Sequence, residues 1–342
     1  MSDRARPEFD PEVREGPSRH ARSSAAAPPA TPPRSTIRLG VIGYMGPENA
    51  HPFSWSAIVN GSYNADVMPL YANKRIATYL DANRDSLGID GARVTHVWTQ
   101  DRVISERIVA ASRVPHIAHE PRAMVEAVDA VLIARDDPES HAALAQPFLD
   151  AGMPVLVDKP LASTESDLAF FADQARAGRL VMSCSSMRYA PEVRVLKEAA
   201  ATLGPVRLVA AVGVKDWLSY GVHVLEAICT VLDDPRALRV RLDSFGQGDV
   251  AEIEFDGGAI ATIHQLRNAA PTMQLHLYGE GGSRSEELDA LFAAHRGLLR
   301  QFIRSVAAGR PRLPFDVTRN VIGILLAGLR SKERQGAWVE PA

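Results

Sequence analysis

Asp158-Lys159-Pro160 and the run Tyr220-Gly221-Val222-His223-Val224-Leu225-Glu226 hold the residue types best suited to moving a proton. A lysine at a strand end can hold a hydroxyl as a donor, and its pKa falls beside a positive group such as an oxidised nicotinamide. A histidine exchanges its proton near neutral pH, and a neighbouring carboxylate makes it a general base. On a regular helix Ser219, His223 and Glu226 share one face at i, i+4 and i+7. Plainer readings stand beside these. A strand-end lysine can be a surface residue, and a histidine on an apolar helix can be a satisfied core residue. Trp217, Tyr220 and Trp55 offer rings that either line a sugar site or pack.

Two further segments could hold a dinucleotide. GVIGYMGPENAH (40–51) follows an apolar run, and its Gly40, Gly43, Tyr44, Met45 and Gly46 form a loop whose backbone can approach a pyrophosphate at a helix N-terminus. It departs from G-x-G-x-x-G, because Tyr44-Met45 stands where a tight-turn glycine is usual. Asp101 ends the next predicted strand. There it can accept hydrogen bonds from ribose hydroxyls, which favours NAD, or cap the following helix. Arg102 beside it leaves NADP open.

These segments need a scaffold, and the chain of 342 residues is long enough for two domains. From Ile37 onward apolar β-branched runs alternate with helical patterns: strands at 37–44, 92–101, 116–119, 129–135, 154–160 and 180–186, with helices between. Repeated β-α-β units with short connections predict a doubly wound parallel sheet of the Rossmann type. Residues 61–91 read as an insertion with one short helix around Lys74 to Ala82, shaping the entrance to the site. Beyond about residue 190 the strands alternate apolar and polar residues, which predicts a mostly antiparallel sheet in an α+β domain. A helix over 217–232 carries His223. Two helices close the chain, one over Glu286 to Ala308 and one capped near Asp316. The expected division is a disordered tail over 1–35, a dinucleotide-binding domain over 36–160 with its sheet extending to about 187, and a substrate-binding and oligomerisation domain over 188–342.

Composition narrows the function classes. A net charge of −3 gives no basic face for nucleic acid and no polybasic membrane anchor. No apolar run is long enough to span a bilayer. Cys184 and Cys229 lack CxxC partners and read as buried thiols in a reducing compartment, so the cytoplasm is expected. The histidines show no metal-ligand spacing, and no metal is expected.

In order and context these segments resemble the Gfo/Idh/MocA oxidoreductase family. The match runs over VxDKPLA, MRYAPEV and a GxHxxE helix before the second sheet, and covers roughly residues 37–340. The resemblance implies a nicotinamide cofactor, NAD with NADP open. It implies hydride transfer to or from a hydroxyl or carbonyl of a sugar, inositol or related polyol. It also implies that Lys159 orients substrate and relays a proton, and that His223 serves as acid/base. Asp158 stands for the family glutamate, and Ser219 for an aspartate four residues before the histidine. Glu226 takes the place of an aspartate three residues after it. The resemblance further assigns Ala134, Arg135, Pro138 and His141 to the cofactor loop after the fourth strand, and Arg188 with Tyr189 to an arginine-aromatic pair. Substrate contacts fall to Lys159, Trp217, Ser219, Tyr220, His223 and Glu226, and a homo-oligomer is expected by analogy. A dinucleotide-binding regulator and an NAD-assisted glycoside hydrolysis or elimination remain as alternatives.

Overall fold

Strands buried on both faces have no polar side to alternate with, so the runs AVLIA and VLV become central strands. The computed structural model describes residues 36–44, 46 and 49–341. The tail expected over 1–35 and the residue Met45 lie outside the described residues. The first sheet comprises β1 (Ile37–Gly43), β2 (Ala92–Thr99), β3 (His116–Ile117), β4 (Ala130–Ala134), β5 (Val155–Val157) and β6 (Val181–Met182). All its pairings are parallel, in the order β3-β2-β1-β4-β5-β6. The order reverses between β1 and β4, which opens a crevice beyond their carboxyl ends.

The crossovers that parallel strands require supply the covering helices. They are α1 (His51–Asn60), α2 (Met68–Tyr71), α3 (Lys74–Ala82), α4 (Arg102–Ser112), α5 (His141–Asp150) and α6 (Glu165–Arg176). The 61–91 segment therefore holds a second short helix besides the expected one. Four residues opening on Met68-Pro69 give no periodic signal. The segment is bound to the body of the sheet domain: the Gly88 and Ile89 amides donate to the Ile58 and Val59 carbonyls at 2.9 and 3.1 Å, and Met68 and Leu80 are fully buried.

After α7 (Pro191–Ala200) comes a second sheet of β7 (Val206–Val214), β8 (Ala237–Phe245), β9 (Gly248–Phe255), β10 (Ile260–Leu266), β11 (Gln274–Gly279) and β12 (Gly282–Glu287). Its order is β12-β11-β7-β10-β9-β8. The alternation read from the sequence buries one face, as with Val209 and Ala211 of β7 and Ile253 of β9. One pair departs from antiparallel: β7 and β10 run parallel. α8 (Val222–Val231), α9 (Leu291–Ala308) and α10 (Phe315–Glu333) complete the chain. A continuous apolar cluster joins Ile133 and Val157 of the first sheet through Leu225 and Ile228 of α8 to Ile253 and Ile263 of the second. Each such side chain contributes about 1.5–3 kcal/mol of burial.

Three expectations about elements are corrected. The helix expected from Glu286 begins only at Leu291, and Glu286 and Glu287 end a strand instead. A Gly-rich turn at 279–282 sends the chain back along β11, so the charged GSRSEE becomes the edge strand β12. Asp316 lies in the first turn of α10 and Pro314 holds the cap position. The helix over 217–232 is two pieces, because residues 217–221 form a π-turn before α8 begins.

Candidate active site

β5 ends against the crevice, and it delivers Asp158 and Lys159 to the switch point. Asp158 is buried, with both carboxylate oxygens in use. Oδ1 accepts the Lys159 amide at 2.8 Å, and Oδ2 meets His51 Nδ1 at 2.6 Å. Burial opposes ionisation of Asp158. The positive charges of His51 and Lys159, with these hydrogen bonds, outweigh it and hold the carboxyl well below the usual carboxylate range. Lys159 is half-buried, and its ammonium lies 5.7 Å from the Tyr220 ring centroid.

The π-turn and α8 bring the second group. Tyr220 meets His223 edge to face with centroids 5.2 Å apart, and Lys215 Nζ donates to the Tyr220 hydroxyl at 2.9 Å. His223 Nδ1 shares a 2.6 Å hydrogen bond with Ser185 Oγ, from the turn after β6. Burial holds the His223 pKa well below the ordinary histidine value, and the Lys159 charge lowers it further. Lys159, Tyr220 and His223 thus come together from β5, the π-turn and α8, while α1 and α9 close the opposite side. There His51 stacks on Trp55 with centroids 4.8 Å apart, His295 meets His51 at 5.1 Å, and Trp55 Nε1 donates to His295 Nδ1 at 3.3 Å. The bond requires an unprotonated Nδ1 on His295, since the indole only donates. Burial and the His51 charge push the His295 pKa down to about 3.

His51 and His295 were not singled out in the sequence. The available signal was His51 at the first position of a helix with Trp55 one turn later. Nothing local links either residue to His295, 240 positions beyond Trp55.

Several residues assigned to ligands serve the protein instead. Trp217 is 2% exposed and donates to the Leu325 carbonyl at 2.9 Å, so it packs and does not line the site. Glu226 is 1% exposed and pairs with Arg188 at 2.6 Å, and Arg188 also holds Asp234 at 2.8 Å. Arg188 and Glu226 are committed to this buried pairing, because an arginine this deep needs its carboxylates. Burial raises the Glu226 pKa to about 7 in spite of Arg188. Ser219 does not face His223 across a helical turn: its hydroxyl donates to Asp216, the residue that caps the π-turn. His141 is fully buried, with its ring nitrogens 3.1 Å from the Leu161 and Arg135 carbonyls, and it holds the β4 and β5 loops together. Arg135 is buried against Asp137 at 2.6 Å, and Pro138 is buried in the turn that follows. Gly40 makes room for Met124, whose sulfur would lie 2.8 Å from an added Cβ.

The remaining residues expected to hold a dinucleotide sit at the strand ends. At Gly43 a Cβ would meet Pro52 at 2.5 Å, so glycine allows α1 to approach β1 closely. Tyr44 follows with φ 115°, a conformation that favours glycine. At the α1 N-terminus the His51 amide donates to Asn49 Oδ1 at 3.1 Å and Pro52 has no N–H, so what the helix start offers the crevice is chiefly its positive dipole end. Gly46 lies beside Asp136, whose carboxylate would be 3.7 Å from an added Cβ. Asn49 donates to the Ala134 carbonyl at 2.9 Å and ties the loop to β4. Asp101 accepts the Val103 amide at 2.8 Å through Oδ1 and is exposed. Arg102 is exposed and pairs with Glu106 at 3.1 Å. A close glycine contact, a helix N-terminus with its positive dipole end and an exposed acid at the β2 end fit a dinucleotide. Among the described residues, Asp136 lies beside this loop with a charge that opposes a diphosphate.

Residues 70–183 match the profile described as oxidoreductase family, NAD-binding Rossmann fold, of Gfo/Idh/MocA proteins. β1 and its loop precede the matched stretch. Inositol 2-dehydrogenase 1 of Saccharopolyspora erythraea is 35% identical over 105 residues, which is 30% of this chain and 31% of that relative's length. The fold is similar to that of myo-inositol 2-dehydrogenase from Lactobacillus plantarum (TM-score 0.71, 15% identity, 90% of this chain and all of the other). It is also similar to myo-inositol dehydrogenase from Lactobacillus casei in complex with NAD(H) and myo-inositol (TM-score 0.70, 16% identity, 89% and 96% covered). The Rossmann segment thus matches that profile over 70–183, and the two-sheet fold is similar to that of these dehydrogenases along nearly its whole described length.

Proposed function

We propose that this protein is an NAD-dependent dehydrogenase acting on a CH–OH group of an inositol, sugar or related polyol. The observation that carries the reading is the meeting of Lys159, Tyr220 and His223 at the carboxyl edge of a Rossmann sheet. A nicotinamide dinucleotide, when bound, supplies the hydride acceptor or donor. The α1 N-terminus and the loop around Gly43 and Gly46 would hold its diphosphate, and Asp101 its adenosine ribose. Asp101 favours NAD; NADP would have to rely on Arg102.

The chain's own groups handle the proton. His223 is neutral, so it can take the hydroxyl proton as the alcohol is oxidised and return it in the reverse direction. The Lys159 ammonium donates a hydrogen bond to the same oxygen and stabilises its developing charge. Tyr220, fixed by Lys215, flanks both groups and gives a sugar ring a surface. The inositol dehydrogenases among the similar proteins support a polyhydroxylated substrate. Self-association through the exposed face of the second sheet, and a cytoplasmic setting, belong to the same reading.

Dinucleotide binding tests it first. Thermal stabilisation by NAD(H) exceeding that by NADP(H), and reduced in Asp101→Ala, is the expected result. With that in hand, inositols and sugars are screened for nicotinamide reduction. No stabilisation by either dinucleotide overturns the proposal.

A further inference from the structure

The acid–base groups of the site include one that the family pattern does not supply. His51 opens α1, on the dinucleotide side, and its imidazole is bound to the residue before Lys159. We propose that His51 is a positioning residue for Lys159: with Asp158 it forms an Asp–His dyad that fixes the backbone and the charge around the lysine. This inference rests on the dehydrogenase reading for its kinetic consequences, but not for its geometry.

The hydrogen bonds define the arrangement. Asp158 is ionised, and a carboxylate only accepts, so the 2.6 Å contact must be donated by His51 Nδ1–H. The other Asp158 oxygen accepts the Lys159 amide at 2.8 Å. One carboxylate therefore spans an imidazole from α1 and the main chain of the lysine at the β5 end. His51 is itself held in place. Its ring lies nearly parallel to Trp55, at 11°, and His295 from α9 abuts it edge-on. Trp55 Nε1 donates to His295, so α1 and α9 are joined through the same stack. The His51 side chain keeps 20% of its surface while that of Asp158 keeps 2%, so the imidazole is the end of the dyad that meets the crevice.

The short aspartate gives the arrangement its sense. Both oxygens of Asp158 are occupied by donors that must be served together. A shift of the His51 ring turns the carboxylate, and the carboxylate carries the Lys159 amide with it. Displacements near 1 Å at a reacting group cost on the order of 10²-fold in rate. Asn at position 158 has a single acceptor oxygen and two hydrogens, so it can serve only one of the two donors.

The test uses the full chain and has two independent arms. In the kinetic arm, His51→Phe keeps a ring on Trp55 but loses the donor. It is expected to lower kcat by roughly 10²-fold, with the KM for dinucleotide little changed. His51→Asn, whose amide reaches the Nδ1 position, is expected to restore most of the rate. Asp158→Asn is expected to match the His51→Phe loss, with little added when the two are combined. Melting temperatures separate this from loss of fold. In the second arm, nitrogen NMR of labelled histidine is expected to show Nδ1 of His51 protonated. The Lys159 amide proton, downfield in the wild type, is expected to move in both His51→Phe and Asp158→Asn. An unshifted Lys159 amide in His51→Phe, or a His51 protonated only at Nε2, overturns the inference even if the enzyme turns over. Wild-type kcat in a folded His51→Phe does the same. If no polyol is oxidised at all, the dehydrogenase reading fails, and the NMR arm still decides the dyad.

Discussion

The two sides of the crevice are built by different means. At the β5 end the groups are side chains, and each is held by another: Asp158 by His51, His51 by Trp55 and His295, and across the cleft His223 by Ser185. At the β1 end the site is mostly backbone: a glycine that lets α1 close on β1, Tyr44 at a positive φ, and the start of a helix, with Asp136 alongside. On the proposed dehydrogenase reading, the difference follows from what each side would bind. Proton-transfer groups lose their function if their orientation or charge state drifts, and burial penalises any polar group left without a partner. A diphosphate asks only for amides, a dipole and room.

The most direct way to break this comparison is at the side-chain wall. Lys159→Ala and His223→Phe are each expected to cut polyol-dependent turnover by about 10²–10⁴-fold while thermal stabilisation by dinucleotide persists. Steady-state kinetics beside thermal shifts would read both, and loss of binding along with turnover would show that the two walls are not separable. Next in size is the support behind the wall. Arg188→Met leaves Glu226 and Asp234 without their buried cation and is expected to cost about 3 kcal/mol in urea denaturation, the low end for a broken buried pair because Glu226 can take up a proton.

Acid should weaken the same wall. His295 has its folded pKa depressed to about 3, so between that value and its ordinary one the unfolded chain binds the extra proton. Its stabilisation is complete above the unfolded pKa and is lost as pH falls, about 2 kcal/mol at pH 5. His223 acts in the same direction. Denaturation midpoints from pH 7 to 5 should fall, and the slope should flatten in His295→Asn, whose carbonyl oxygen can still accept from Trp55. The smallest effect sharpens the backbone side. Asp136→Asn is expected to tighten dinucleotide binding a few-fold, more at low salt, with kcat nearly unchanged. Isothermal titration at two ionic strengths would measure it, and an unchanged affinity would place the diphosphate away from Gly46.

Much of the scaffold is legible in the residues. AVLIA and VLV announce buried parallel strands, helices α3 and α6 begin and end close to their periodic patterns, and the alternation in β9 and β10 names its buried face. The misreadings share a cause. GSRSEE is a strand because β11 offers it partners, not because its residues prefer one. Ser219 and Glu226 lie at helical spacing from His223, but the π-turn breaks the face and the buried Arg188 claims Glu226.

Sequence by itself determined the alternation of buried strands and helices, the position of Lys159 at a strand end and of His223 on an apolar helix, since these follow from local periodicity and from the sidedness of burial. Only the tertiary structure decided which polar groups meet. The partners of Asp158, His223 and Arg188 stand 107, 38 and 46 residues away in their longest links, and the pairing was settled by the cost of burying each charge or imidazole without a counterpart. The same requirement made ligand candidates such as Arg188 and His141 into structural ties and brought His51, silent in the sequence, to the side of Lys159.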